Sequence, residues 1–232
     1  MSETFKELKE IAYEANMELP KRGLVIYTFG NVSAYDAEKG VFAIKPSGVP
    51  YDNLKPDDMV IVNLNNEVVE GNLRPSSDTS THSYLYRIFP GIKGITHTHS
   101  TYAVAWAQSH MPIPIFGTTH ADHLAVDVPC THIMSDEAIK GDYETETGRQ
   151  IEQVFTDLNY KEIEMILVAG HGPFTWGKTA EKAVYNSAVL EELAKMALLT
   201  LEINPRTDRL KNTLIQKHYL RKHGKNAYYG QK

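Results

Sequence analysis

The residues best placed for chemistry in this sequence are histidines. In Gly94-Ile95-Thr96-His97-Thr98-His99-Ser100, two imidazoles stand two positions apart. On an extended strand such residues point to the same face, so His97 and His99 can grip one ion. Ser100 reads as the N-cap of a following helix. That puts the pair at the C-terminal end of a strand, beside a loop, where sites in α/β proteins commonly lie. His171 sits in Ala169-Gly170-His171-Gly172-Pro173, directly after an apolar run, with glycines that let the backbone turn sharply. Three imidazoles suit zinc or a similar first-row ion such as manganese, and a carboxylate can complete the set. Asp78 is the candidate for that place, because Pro75-Ser76-Ser77-Asp78-Thr79 offers hydroxyls and the amide-rich start of a helix. Taken singly, each fragment also has an ordinary reading. His-x-His pairs and Gly-His-Gly turns occur widely without a metal. His82 falls on a helix and stays open, while His110, His132 and His223 read as surface or capping residues.

Gly30-Asn31-Val32-Ser33, Lys45-Pro46-Ser47-Gly48 and Ser76-Ser77 are short polar segments of the kind whose backbone N–H groups cradle phosphate. Each alone is an ordinary turn. Their force depends on converging in space.

The elements that must position these residues can be read from periodicity. Phe5 to Leu19 carries apolar residues at helical spacing and Pro20 ends it. Leu24 to Phe29 and Val41 to Ile44 are apolar runs that read as strands, with Glu38-Lys39-Gly40 as a turn. Met59 to Leu64 and Glu67 to Val69 flank Asn65-Asn66, a hairpin signal. Asp78 to Phe89 reads as helix, Ile92 to Thr98 as strand, Thr101 to Gln108 as helix and Ile113 to Phe116 as a short strand. Glu144 to Phe155 is a helix and Met165 to Ala169 a buried strand. Thr179 caps a long helix carrying Val184, Leu190, Leu193, Ala194, Ala197 and Leu201, and a last helix runs from about Asp208 to Lys222. The expectation is one α/β domain over residues 1–232, with a largely antiparallel or mixed sheet between helices.

Composition removes several classes. Hydrophobic residues make up 42% and charged residues 23% of 232, ordinary globular usage. A net charge of −5, from 24 basic and 29 acidic side chains, gives no pull toward nucleic acid or acidic membranes. With Cys130 as the single cysteine, no intrachain disulfide can form. Met1 to Leu19 mixes Lys and Glu and lacks the apolar core of a signal peptide, so a cytoplasmic location is expected.

Many blocks, in order, resemble the class II aldolase and adducin family, and within it the L-ribulose-5-phosphate 4-epimerases. They are Gly30-Asn31-Val32-Ser33, Ile44-Lys45-Pro46-Ser47-Gly48-Val49, Asp57-Asp58-Met59-Val60, Arg74-Pro75-Ser76-Ser77-Asp78-Thr79 and His97-Thr98-His99-Ser100. Gly117-Thr118-Thr119-His120-Ala121-Asp122, His171-Gly172-Pro173-Phe174 and Lys217-His218-Tyr219-Leu220-Arg221-Lys222-His223-Gly224 continue the match. The likeness runs from Leu19-Pro20 to Tyr228-Tyr229-Gly230-Gln231. It departs from the family's pattern at His123 and at Ala169-Gly170.

The resemblance implies a three-layer fold around a mostly antiparallel sheet, assembled as a homotetramer of fourfold symmetry with active sites between subunits. It implies Asp78, His97, His99 and His171 as ligands of one divalent ion per subunit, zinc first. Gly30, Asn31, Ser47, Gly48, Ser76 and Ser77 match substrate- and phosphate-binding loops, and Lys45, Glu144, His218 and Arg221 match further residues near the site. Asp122 matches one acid/base group, and Tyr229 matches the other, reaching in from the adjacent subunit. Outside the resemblance, Asp122 reads as an N-cap and Tyr229 as a packing residue. The implied reaction inverts carbon 4 of a ketopentose phosphate. The hydroxyl there is β to the carbonyl, so the bond between carbons 3 and 4 can break, the aldehyde can rotate, and the bond can re-form on its other face. A Lewis-acid ion and two proton-transfer groups suit that route. Rival readings are a sugar-phosphate aldolase on the same fold, a non-enzymatic scaffold of the adducin kind and a zinc hydrolase. Fuculose-phosphate-type aldolases have Glu where this chain has Asp78 and lack the Lys-His-Tyr-Leu-Arg tail, which favours the epimerase.

Overall fold

A computed structural model describes residues 5–225, 227 and 228. It is built on one seven-stranded antiparallel sheet: β1 (Asn31–Asp36), β2 (Val41–Ile44), β3 (Val60–Asn63), β4 (Val68–Glu70), β5 (Gly94–His97), β6 (Met165–Val168) and β7 (Gly172–Gly177). The order is β4-β3-β2-β1-β5-β7-β6. β1 to β4 follow one another as a meander, closed by Gly40 at φ +67° and Asn66 at φ +66°. β5 then pairs with β1 on one side and with β7, far along the chain, on the other.

The helices are α1 (Lys6–Lys21), α2 (Thr79–Ile88), α3 (Thr101–Ser109), α4 (Thr118–Ala121), α5 (Asp136–Lys140), α6 (Tyr143–Val154), α7 (Ala180–Ile203) and α8 (Asn212–His223). Alternation along the strands sorts the two faces. Val32, Ala34, Val41, Ala43 and Ile61 pack with α1 and the start of α7. Phe42, Ile44, Ile95, Phe174 and Trp176 join the larger core with Leu85, Tyr86 and Ile151 from α2 and α6. The sheet therefore lies between two helical layers, as expected. No helix among the described residues is long and apolar enough to cross a membrane.

Several local expectations are corrected. Leu24 to Phe29 is not a strand. Tyr27 takes φ +53°, and Ile26, Tyr27 and Phe29 are 62%, 82% and 50% exposed, so the run is a loop that reaches the surface after the buried Leu24 and Val25. The strand begins at Asn31, inside a segment read as a phosphate loop. Ile113 to Phe116 forms one isolated bridge, Ile113 to Val128, because no longer partner lies beside it. β7 went unseen: its Gly172 and Pro173 read as turn chemistry, yet it is wholly buried between β5 and β6. Pro20 lies inside the last turn of α1 rather than ending it. Thr179 does cap α7, its hydroxyl accepting the N–H of Lys182 at 3.0 Å. Ser100 holds the N-cap position of α3, but its hydroxyl caps nothing. Instead the Glu191 carboxylate of α7 accepts the N–H groups of Tyr102 and Ala103, both at 2.9 Å.

Candidate functional site

One end of the sheet collects the chemistry. There β5 ends at His97, β1 begins at Asn31, β2 ends before Lys45 and β7 begins after His171. Asn31 and His97 are direct cross-strand partners, and Phe174 faces His97 from the other side. Partners in register share a face, so all three side chains meet in one layer.

His97, His99 and His171 form a cluster whose candidate ligand atoms lie within 4.8 Å of one another. Ring centroids are 4.9 Å apart for His97 and His99 and 4.7 Å for His97 and His171. His97 stacks on Phe174 at 4.2 Å, which fixes its plane. Its Nδ1 lies 3.0 Å from the Pro173 carbonyl, an acceptor, so Nδ1 carries the proton and Nε2 presents a lone pair. That Nε2 faces the Nε2 of His99 at 3.1 Å. Burial pushes His171 down to about 4, helped by the nearby His97, and burial also lowers His99. His99 and His171 are therefore neutral rings, the form that donates to a cation. Gly172 lets the backbones meet: a Cβ there would lie 2.9 Å from the Thr98 carbonyl oxygen.

Asp78 stands at the head of α2 and lines the same cavity, but outside the imidazole trio. Its Oδ2 accepts from Asn31 Nδ2 at 2.6 Å. Burial raises its carboxyl, but His97, His82 and the Asn31 bond outweigh burial and leave it below the usual carboxylate range. Asn31 Nδ2 also reaches Ser76 Oγ at 3.1 Å, tying β1 to the loop before α2.

The three polar loops do converge. Ser47 N–H donates to the Arg74 carbonyl and Ser76 N–H to the Lys45 carbonyl, at 2.9 and 3.0 Å. The Tyr51 hydroxyl bonds to the carbonyls of Phe29 and Gly30, at 3.0 Å each. Together they wall a cavity of about 450 Å³ that also contains the imidazoles. Gly30, Asn31, Lys45, Ser47, Gly48, Ser76, Ser77 and Glu144 all line it. Lys45 is 1% exposed, with its ammonium 3.4 Å from the Thr28 and Pro46 carbonyls, and burial pushes it down to about 8. A buried cation with two long contacts is well suited to an anionic ligand.

Asp122, His218 and Arg221 are brought together, but not with that cavity. Asp122 follows α4, and its carboxylate accepts from Arg221 Nε and Nη2 at 2.9 and 2.6 Å and from His218 Nδ1 at 2.9 Å. The His223 ring donates to the Asp122 carbonyl at 3.0 Å. Burial raises the Asp122 carboxyl, but the Arg221 and His218 bonds prevail and hold it below its usual range. Tyr229 lies outside the described residues.

One residue was missed and one had been left open. Tyr143 lines the cavity with its hydroxyl 3.3 Å from His171 Nδ1. Its position two residues after Gly141 and at the start of α6 carries no sequence signal. His82 is fully buried on α2.

Residues 10–198 match the model of the class II aldolase and adducin N-terminal domain. Among solved structures the chain is similar to an L-fuculose 1-phosphate aldolase, with 24% identity, TM-score 0.76, and 91% of this chain and 94% of that one covered. It is also similar to YgbL of Klebsiella pneumoniae, described as a putative aldolase/epimerase/decarboxylase, with 25% identity, TM-score 0.72, and 91% and 97% covered. The Escherichia coli YgbL matches at 24% identity and TM-score 0.73 over 93% and 99%.

Proposed function

Because the chain belongs to the class II aldolase and adducin family, we propose that its cavity binds one divalent ion, zinc first, and a sugar phosphate, and that it interconverts L-ribulose 5-phosphate and D-xylulose 5-phosphate. The observation that carries this reading is the convergence of three imidazoles with three polar loops in one cavity. His97, His99 and His171, with Asp78, would hold the ion, which supplies Lewis-acid stabilisation of charge on the sugar oxygens.

The rest falls to the chain's own residues. Lys45, the hydroxyls of Ser47 and Ser76 and the backbone N–H groups of Gly48 and Ser77 hold the phosphate, with the start of α2 behind it. A two-carbon aldehyde phosphate, once cut from the sugar, stays tethered by that grip while it rotates. Glu144 lies on the same wall. Asp122 and Tyr229 are the two acid/base groups, one for each face of the aldehyde: one takes the hydroxyl proton of carbon 4 and the other protonates the re-formed alkoxide. His218 and Arg221 orient Asp122.

Asp122 is not on the wall of its own chain's cavity, so this assignment requires a neighbouring subunit. Met196, Leu199 and Ile203, 39%, 41% and 86% exposed, lie beside a groove that includes Phe116 and Gly117 near the start of α4. That apolar surface supports a tetramer with sites between subunits.

The test is incubation of metal-loaded protein with L-ribulose 5-phosphate. D-xylulose 5-phosphate is the expected product. Net release of a free aldehyde would identify an aldolase instead. Asp122→Asn is expected to lose at least ~100-fold in turnover while still binding metal, and near wild-type turnover would remove Asp122 from its role.

A further inference from the structure

Tyr51 follows the Lys45-Pro46-Ser47-Gly48 segment on a single tight helical turn, Tyr51–Asn53. Its ring is 4% exposed and packs in the smaller core with Leu24, Val25 and Leu54. A tyrosine that only filled this core would have no tie to the cavity. This one touches two separate segments of the cavity wall. Its ring faces the Lys45 ammonium, with Nζ 4.8 Å from the centroid, close enough for a cation to be drawn to an aromatic face. Its hydroxyl lies 3.0 Å from the carbonyl oxygen of Phe29 and 3.0 Å from that of Gly30. Burial pushes the phenol well above its usual range, so it stays protonated and shares one hydrogen between the two acceptors.

Lys45 takes the preceding carbonyl, that of Thr28, at 3.4 Å. Three consecutive carbonyls, of residues 28–30, are therefore gathered by Lys45 and Tyr51 together. A trans peptide is planar, so a carbonyl turned toward Tyr51 turns the next N–H away from it. That applies to the N–H groups of Gly30 and Asn31. Thr28, Phe29, Gly30 and Asn31 line the cavity with Lys45, and Tyr51 stands behind them. The oxygens beside the ammonium are long contacts, 3.4 Å to Thr28 and to Pro46. Before an anion arrives, the ring face supplies part of what water would otherwise give that cation.

We propose that Tyr51 is a positioning residue for anion binding: its ring holds the Lys45 ammonium and its hydroxyl holds the turn at residues 28–30, so that cation and turn form one preorganised half of a phosphate grip. This rests on the reading of the cavity as a sugar-phosphate site. Tyr51 transfers no proton. It raises affinity by removing part of the ordering cost of binding.

The experiment uses the full chain kept metal-free, so that no bound ion takes the anion, with inorganic phosphate as the probe. Tyr51→Phe keeps the ring over Lys45 and removes the hydroxyl. It is expected to weaken phosphate binding ~3- to 10-fold, the loss of one hydrogen bond. Tyr51→Leu, which also removes the aromatic face, is expected to weaken it further. Zn²⁺ affinity of Tyr51→Phe, read by chelator competition, should stay within about twofold of wild type. Equal losses in both affinities would mark a general loosening and overturn the proposal. Should Tyr51→Phe fail to fold, NMR of the wild-type chain still decides. The ring should hold the Lys45 ε-methylene protons upfield of those of exposed lysines, before and after phosphate is added. Lys45 protons at the exposed-lysine position overturn the proposal. A wild-type protein that binds no phosphate sinks the sugar-phosphate reading, whereas wild-type binding that Tyr51→Phe leaves unchanged overturns the role of Tyr51 alone.

Discussion

Glu191 offers a test of how the loop after His99 is held. Its carboxylate accepts the second and third N–H groups of α3 at 2.9 Å each, the work usually done by an N-cap side chain from the preceding residue. Glu191→Ala leaves both N–H groups without that acceptor. Losing a cap costs ~0.5–2 kcal/mol, and losing a negative charge at a helix N-terminus a further ~0.3–1. The site is partly buried, which places the sum near the upper end, ~2–3 kcal/mol. For a chain of this length each kcal/mol moves Tm by ~2–4 °C, so a fall of roughly 5–10 °C is expected. Ser100→Ala should cost under ~0.5 kcal/mol, because the hydroxyl at the cap position caps nothing. Urea titrations with unchanged m-values decide. If Glu191→Ala lies within ~0.5 kcal/mol of wild type, or Ser100→Ala is the costlier change, the capping argument is wrong.

Two other perturbations bear on the cavity. Gly30→Ala puts a side chain at φ +73°, with its Cβ 2.8 Å from Val25 Cγ1 and 2.9 Å from the His97 carbonyl oxygen. It should cost ~2 kcal/mol or more, against ~1 for Gly23→Ala, which has φ +67° but open space; equal Cm values for the two variants would show that the contact with His97 does not matter. Lys45, held down to about 8 by burial, is charged below that pH and neutral above it, so the KM for a sugar phosphate should rise as pH passes through about 8 and Lys45→Met should abolish that rise. A wild-type KM flat from pH 7 to 9, on the order of one unit either side of the transition, would remove Lys45 from phosphate binding.

Which parts of this could be read beforehand follows from how each signal is written. The hairpin of β3 and β4 announced itself through the Asn65-Asn66 turn between two apolar runs, and the helices α2, α3, α6 and α7 through their period, because one face of each helix is buried and the other is more exposed. β7 did not, since a strand buried on both faces has no alternation to show and its Gly and Pro imitate a turn. Leu24 to Phe29 failed the opposite way: Leu24 and Val25 are buried, but Ile26, Tyr27 and Phe29 stay at the surface, where Tyr27 adopts a left-handed conformation. His97 and His99 were legible as a pair because strand geometry is local. Joining His171 to them, and Asp78 to the same cavity, needed either the family pattern or the pairing of β5 with β7, which no local spacing encodes. Asn31, read as part of a loop, turned out to be the strand residue that holds Asp78, and His82 could not be placed without knowing that Ser33 faces it.

The Pro173 carbonyl that orients His97 belongs to a residue 76 positions later in the chain. That separation has a kinetic meaning. A growing or interrupted polypeptide that has made β5 but not β7 owns two imidazoles without the third and without the acceptor that sets the His97 proton. An ion held by all three imidazoles would be captured only after the long-range closure of the sheet, and it would add RT ln(1 + [L]/Kd) to the stability of the completed fold. Metal uptake during refolding would then report the last assembly step, and partial chains would compete poorly for the ion.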